Sequence, residues 1–272
     1  MRETVKDTPD IITSRSNPKV KQARALRQRK ERDATGLFLV EGIAHVGAAL
    51  DAGAHLEYIL QAPDLLKSEF AKQLLAQAAA RSIPCFELSE DVFNSLSDKD
   101  HPAGLLAVAR KPITNYQLLI TNHQSCFIAL LSPQDPGNLG AILRTIDAVN
   151  ASGLILLDGG TDPYHPNAVR ASLGAVFYKP VVSITFAEFV AWAKQNRFNI
   201  VGTSAKAAQD YRTADYKRPL ILLMGSEQKG LSAEQLAACD YAVRIPMSGK
   251  VSSLNLAVAT GVMLYAVREA GR

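Results

Sequence analysis

Two apolar runs near the C-terminal end each pass into a glycine-containing turn. Leu220–Met224 leads into Gly225-Ser226-Glu227-Gln228-Lys229-Gly230, and residues 242–245 lead into Pro246-Met247-Ser248-Gly249. Short continuous apolar runs bounded by turn residues read as buried strands. Glycine at such turns permits a positive φ or a close approach of ligand to backbone. In a chain of alternating strands and helices these turns fall at the carboxyl ends of parallel strands, where open sheets bind ligands. The stretch from Leu220 to Arg268 is therefore expected to hold a ligand cradle, and the remaining sequence narrows what it takes.

The alternation runs through the whole chain. A strand over 36–42, a helix over 43–51, a strand over 56–60, a helix over 65–81, a strand over 84–88, a helix from Ser89 and a strand over 104–109 make a small α/β domain. Residues 113–125 read as a linker with a short helical turn near Tyr116. A second block starts at Cys126. It has strands at 127–131, 154–157, 181–184, 199–203 and 220–224, and helices at 139–149, 168–176 and 186–196. Such alternation predicts a mostly parallel sheet covered on both faces. The expected organisation is a domain over 1–112, a linker over 113–125 and a larger domain over 126–272. At 272 residues the chain is long enough for two such domains.

Several function classes lose ground on spacing. There is no GxGxxG and no GxxxxGK[ST], so the usual nucleotide cradles are absent. No GxSxG elbow is present. Cys85, Cys126 and Cys239 lie far apart and form no CxxC pair, and the five histidines are scattered, which predicts a reduced, cytoplasmic protein with no metal site. No apolar run reaches the roughly 18 residues of a membrane span, and the first ten residues show no signal-peptide core.

Charge is informative through its placement. Between Arg15 and Arg32 stand eight basic residues and one acid, after a Ser16-Asn17-Pro18 helix entry. A basic helix there is either a solvated face or a phosphate-contacting surface. Arg15, Lys19, Lys21, Arg24 and Arg27 are the candidate contacts.

The other candidates each have a structural reading beside the functional one. Arg144 points away from the apolar stripe of Ile142, Ile146 and Val149, either paired with Asp147 at i+3 or free for a ligand. Asn138 is either the N-cap of that helix or a residue that orients a hydroxyl or phosphate. Glu227 is a turn carboxylate. Ser253 is placed as the N-cap of the last helix, which would leave Asn255 in its first turn, where asparagine is a modest helix former.

Taken together these segments resemble the SpoU/TrmH family of the SPOUT superfamily, enzymes that methylate RNA ribose 2′-hydroxyls with S-adenosylmethionine. Three stretches match in order: 135–145 (DPGNLGAILRT), 222–231 (LLMGSEQKGL), and Ile245-Pro246-Met247 through 253–259 (SLNLAVA). Residues 167–175 (NAVRASLGA) resemble the segment between the first two. Residues 14–42 and 104–109 resemble the substrate-binding domain often fused ahead of the catalytic one. A departure falls at 147–150 (DAVN), where the family often has a small residue, an aromatic and glycine.

The resemblance implies a catalytic parallel-sheet domain with a deep trefoil knot, behind a smaller N-terminal α/β domain that binds substrate. It implies S-adenosylmethionine held by Thr203, Met224, Gly225, Gly230, Ile245, Pro246, Met247 and Leu254. It implies catalytic roles for Arg144, Asn138, Glu227, Ser253 and Asn255, and a homodimer that completes the active site across its interface. An RNA substrate follows, ribosomal before transfer RNA. The competing classes are a catalytically silent RNA-binding module of the same fold and a nucleotide-dependent oxidoreductase, which the missing GxGxxG disfavours.

Overall fold

In a computed structural model, residues 11–98, 100–119 and 121–270 are described. The N-terminal stretch read for a signal peptide lies outside them. Two compact units emerge, one running to Pro112 together with Tyr164–Pro166, the other comprising Ile113–Pro163 and the chain from Asn167 on. Among the described residues no helix is long and apolar enough to cross a membrane.

The first unit opens with α1 (Pro18–Ala25) and α2 (Arg29–Thr35). The basic segment is thus two helices and not one. Asn17 caps α1, accepting from the Lys19 amide, with Pro18 in the first turn where its missing N–H is harmless. The break between the helices is fixed by Arg32, which is 1 % exposed and donates through Nη1 to the Leu26 and Arg27 carbonyls at 2.9 and 2.7 Å. A buried guanidinium is tolerable only when so partnered.

There follow β1 (Leu37–Glu41), α3 (Ile43–Asp51), β2 (Leu56–Gln61), α4 (Glu69–Ala80), β3 (Cys85–Glu87), α5 (Glu90–Asn94) and β4 (Leu105–Arg110). Helix α4 starts at Glu69, four residues later than the sequence pattern suggests, because residues 62–67 are spent in turns closed on the Ala62 carbonyl. The sheet order is β1-β4-β2-β3, with β4 antiparallel to both neighbours and β3 parallel to β2. Pleat alternation sends Leu37, Leu39, Tyr58, Leu60, Leu106 and Val108 to one face, where they bury against Val20, Ala23 and Leu26 of α1 and Val92 and Phe93 of α5.

The second unit contains β5 (Cys126–Leu131), α6 (Pro136–Ala148), β6 (Gly153–Leu157), α7 (Pro166–Ala171) from its second residue on, α8 (Ala175–Tyr178), β7 (Val181–Ile184), α9 (Phe186–Gln195) and β8 (Asn199–Thr203). It continues with β9 (Gln209–Asp210), β10 (Leu220–Met224), α10 (Ala233–Ala237), β11 (Tyr241–Arg244) and α11 (Leu256–Ala270). All seven strands are parallel, in the order β7-β6-β5-β10-β8-β11-β9. The helix expected over 168–176 is broken at Leu173 and Gly174, both at positive φ. The two-residue strand β9 is too short to carry a periodic signal.

One face of this sheet buries Phe127, Ala129, Ile155, Ile221 and Leu223 against Phe189 and Trp192 of α9. Phe127, Trp192 and Phe198 form an aromatic cluster, with the Trp192 and Phe198 ring centroids 5.1 Å apart. Burying such side chains contributes roughly 1.5–3 kcal/mol each. α6 and α11 pack together elsewhere in this unit.

Candidate functional site

Parallel register sets the site. Leu223 on β10 lies opposite Gly202 on β8, Gly202 lies opposite Ala242 on β11, and Met224 lies opposite Leu130 on β5. Met224, Thr203 and the residues after Arg244 therefore end three adjacent strands at one carboxyl edge. Two loops leave that edge, 225–230 from β10 and 245–255 from β11.

The first loop is closed on itself. The Ser226 amide donates to the Gly230 carbonyl at 3.2 Å and the Gly230 amide returns to Ser226 at 2.9 Å. A Cβ on Gly225 would stand 2.3 Å from the Gly230 carbonyl carbon and 2.6 Å from the Leu231 nitrogen, so only glycine fits there. Gly230 takes φ +66° and its outer side is open. Thr203 is tied inward, its Oγ1 donating to the Leu223 carbonyl at 3.2 Å. In the second loop Ile245 and Met247 are half-buried, whereas Pro246, Ser253 and Leu254 are exposed.

Three of the five expected catalytic residues meet. Asn138 Nδ2 donates to Glu227 Oε1 at 2.6 Å, and Asn255 Nδ2 donates to Asn138 Oδ1 at 3.0 Å. Asn255 Oδ1 in turn accepts from the Ala257 and Val258 amides, at 2.8 and 3.3 Å. One polar line thus joins the β10 loop, the first turn of α6 and the start of α11. These helices run parallel, since Asn138 meets Asn255 and a Cβ on Gly261 would lie 3.9 Å from Thr145 Cγ2.

One capping alternative is excluded and one capping expectation is corrected. Asp135, not Asn138, is the N-cap of α6, its Oδ1 accepting from the Asn138 amide at 2.6 Å. That contact leaves the Asn138 side chain to reach sideways. Ser253 does not open the last helix. α11 begins at Leu256 and Asn255 is its cap, which explains an asparagine that looked misplaced inside a helix. The Asp-Pro dipeptide at 135–136 was the available sign, because proline is favoured just inside a helix start.

Arg144 stands apart. It is exposed, and among the described residues it has no hydrogen-bond or ion-pair partner. The alternative pairing with Asp147 is not made, and that carboxylate lies 3.7 Å from Lys179. Six residues separate Arg144 from Asn138, about 9 Å along α6 and about 120° round it. Arg144 shares instead the flank of Gly140, where a Cβ would stand 2.4 Å from the Ala168 carbonyl oxygen and 2.7 Å from Ala171 Cβ of α7.

Most of the basic segment is engaged within its own unit. Arg15 pairs with Asp91 at 2.6 Å, Arg24 donates to Ser95 at 3.0 Å, and Arg27 reaches Asp98 and the Leu96 carbonyl. Burial pulls the Arg27 guanidinium below its ordinary value. Lys19 sits 4.4 Å over the Tyr58 ring. Lys21 is exposed. Near the second unit's strand edge, burial pushes the Cys239 thiol up to about 11, and hydrogen bonds from Arg212 hold Asp210 down to about 2.

Residues 125–265 match the SpoU rRNA Methylase family, and residues 17–107 match the MRM3-like substrate binding domain. The chain belongs to the SpoU rRNA methylase family. A 23S rRNA (uridine(2479)-2′-O)-methyltransferase of Streptomyces viridochromogenes is 33% identical over 267 residues, 95% of this chain and 92% of that protein. The 23S rRNA (guanosine(2553)-2′-O)-methyltransferase RlmP of Bacillus subtilis (strain 168) is 30% identical, over 94% of this chain and 98% of its own length. An AdoMet-bound rRNA methyltransferase from Sinorhizobium meliloti superposes with a TM-score of 0.87 at 37% identity, covering 96% of this chain and 97% of its own.

Proposed function

We propose that this SpoU-family chain transfers a methyl group from S-adenosylmethionine to a ribose 2′-hydroxyl of 23S ribosomal RNA. The carrying observation is the Glu227–Asn138–Asn255 line, set beside two turns at one sheet edge. The two named relatives span nearly the whole chain and act on 23S rRNA, one at a uridine and the other at a guanosine. Their common chemistry is on the ribose, and so is the activity proposed here.

The strand edge fits the cofactor. Ile245, Met247 and Leu254 offer apolar surface for an adenosine, with the buried Met224 at the end of β10. The exposed Gly230 and the 225–230 backbone offer close approach, with Thr203, Gly225 and Pro246 shaping the turns. When bound, S-adenosylmethionine supplies an electrophilic methyl group on a sulfonium. The chain's own task is to orient the ribose and ease loss of its hydroxyl proton. A guanidinium with a pKa above roughly 12 is a poor proton acceptor. Arg144 is therefore assigned to the phosphate beside the target ribose, or to the oxyanion developing on it. Asn138, Glu227 and Asn255 hold the cradle, with Ser253 beside them on the loop.

A homodimer completes this reading. Within one protomer Arg144 joins none of the Asn138 hydrogen bonds and leaves α6 about 120° away from them. Val258 and Tyr265, on the outer side of α11, are 53% and 47% exposed, an apolar stripe suited to a second copy. In this dimer the partner's arginine faces the polar line. The knot is part of the proposal too, supported by the family's fold and by β11 lying between β8 and β9 while α11 returns to α6.

The first unit is proposed to bind RNA, with domain limits at 112 and 126. Of the five basic candidates Lys21 is the freest contact. Arg15, Lys19, Arg24 and Arg27 would have to exchange internal partners for phosphates. A cytoplasmic location follows from a ribosomal substrate.

The test is Arg144→Ala, assayed for methyl transfer to an unmodified 23S rRNA transcript and for S-adenosylmethionine affinity by calorimetry. The expected result is a loss of at least about 100-fold in transfer with unchanged cofactor affinity, the scale of one lost oxyanion contact. Near-normal transfer would refute the role of Arg144. A wild-type chain that binds no S-adenosylmethionine would refute the activity and leave an RNA-binding module.

A further inference from the structure

Leu173 is placed against two local preferences at once. Its φ is +49°, in the left-handed region where an L side chain is disfavoured and glycine or asparagine is usual. It also holds a large apolar side chain at 52% exposure. It follows α7 by two residues, the position at which helices commonly end on a left-handed glycine. Here glycine comes one residue later, at Gly174, also at positive φ. The other non-glycine residues at positive φ are Ser82, Ser132, Asn150, Asp158 and Arg197, all polar. Leu173 is the one apolar member of that set among the described residues. Backbone outliers of this kind persist where the surroundings impose them and often mark functional surfaces.

Its neighbourhood says what it would meet. The Ser172 amide nitrogen lies 3.0 Å from where a Gly140 Cβ would stand, and α8, just past Leu173, also packs on α6. Residues 171–178 therefore run beside the α6 flank that carries Arg144, one turn beyond Gly140. Arg170, one turn back on α7, is exposed too and shares an internal hydrogen bond with Asn167 at 2.9 Å. An exposed apolar residue on a segment that packs along the helix carrying Arg144 suits a nucleotide, whose phosphate takes the charge while its sugar or base covers the apolar surface.

We propose that Leu173 is a substrate-contacting residue that packs against the sugar or base of the RNA nucleotide whose phosphate Arg144 meets. This rests on the methyl-transfer reading above, and it adds a binding element outside the cofactor edge. The side chain orients the strand so that the ribose hydroxyl is presented, and its own backbone conformation is the local sacrifice.

The test uses Leu173→Asn and Leu173→Gly, which both suit a positive φ, with Leu173→Met retaining an apolar tip. Urea midpoint, S-adenosylmethionine affinity, mass by sedimentation, and KM and kcat on an unmodified 23S rRNA transcript are measured for each. Expected for the Asn and Gly variants are a urea midpoint no lower than wild type, unchanged cofactor affinity and mass, and a KM for RNA raised at least fivefold. The Met variant should stay within twofold of wild type. An unchanged KM in the Asn and Gly variants, with wild-type transfer intact, overturns the proposal alone. A drop in mass overturns it in favour of a subunit contact, and a lowered urea midpoint overturns it in favour of a packing role. Absent transfer by the wild type sinks the activity itself, and the same three variants are then compared for RNA affinity, where equal affinity overturns the Leu173 contact.

Discussion

Reversing the polarity of one hydrogen bond probes the site most directly. Asn138 donates to Glu227 at 2.6 Å and accepts from Asn255 at 3.0 Å, so its amide is used at both ends. Asn138→Asp keeps the size and the acceptor for Asn255 but turns the donor into a second carboxylate facing Glu227. A hydrogen bond to a charged group contributes about 1.5–3 kcal/mol, and like charge at this distance adds repulsion. Glu227 is exposed, and water screens much of this, so a net loss of about 1–2 kcal/mol is the reasonable figure. At 1.4 kcal/mol per tenfold, that is a drop of roughly 5- to 30-fold in S-adenosylmethionine affinity, because Glu227 belongs to the loop proposed to form the cradle. Asn138→Asp combined with Glu227→Gln restores the bond in reverse, the glutamine amide donating to the aspartate. Calorimetry should find the double variant at least about fivefold tighter than Asn138→Asp alone, with equal urea midpoints, and Glu227→Gln measured beside them completes the cycle that gives the coupling energy of the pair. If Asn138→Asp binds the cofactor as wild type does, the line does not hold the cradle. If the double variant recovers binding and methyl transfer stays lost, the Asn138 amide or the Glu227 carboxylate acts in the chemistry itself, and loss in Glu227→Gln alone assigns it to Glu227.

Two further outcomes follow from packing and charge. Gly140→Ala places a methyl 2.4 Å from the Ala168 carbonyl oxygen, where α7 must retreat from α6. Overpacking of this kind costs about 1–3 kcal/mol, and a urea midpoint equal to wild type would mean that the helices are not in the contact described. Asp210 has its carboxyl lowered to about 2 by Arg212, against roughly 3.9 for a free aspartate. A depressed folded value means that the contribution is present above the unfolded pKa and fades as pH falls from about 4 towards 2. The difference in urea midpoint between wild type and Asp210→Asn should be visible at pH 6, shrink from about pH 4 downward and vanish only below about pH 2; a difference that grew on acidification would contradict the Asp210–Arg212 bond.

The order of elements was legible because the apolar runs are short, bounded and alternate with helical stretches. β7, β8 and β10 fall where their hydrophobic pattern places them. What misled was chemistry at the ends. Capping depends on which residue turns its side chain back on the helix, and at both α6 and α11 that was one not chosen from the pattern, Asp135 and Asn255. The break at Leu173 was likewise hidden, since nothing in a run of alanine, serine and leucine announces a left-handed residue.

From sequence alone this chain reads as a two-part α/β protein, because periodicity acts through neighbours along the chain, and its three ordered stretches add a resemblance to the SpoU family that periodicity does not carry. Tertiary structure decided which of the five candidate residues belong together. Asn138, Glu227 and Asn255 are 89 and 117 positions apart in pairs and meet within hydrogen-bond reach, because parallel register brings β8, β10 and β11 to one edge and α11 back beside α6. Arg144, six residues from Asn138, is carried to another flank by the helical turn. Separation along the chain says little about separation in space when a sheet sets the distances.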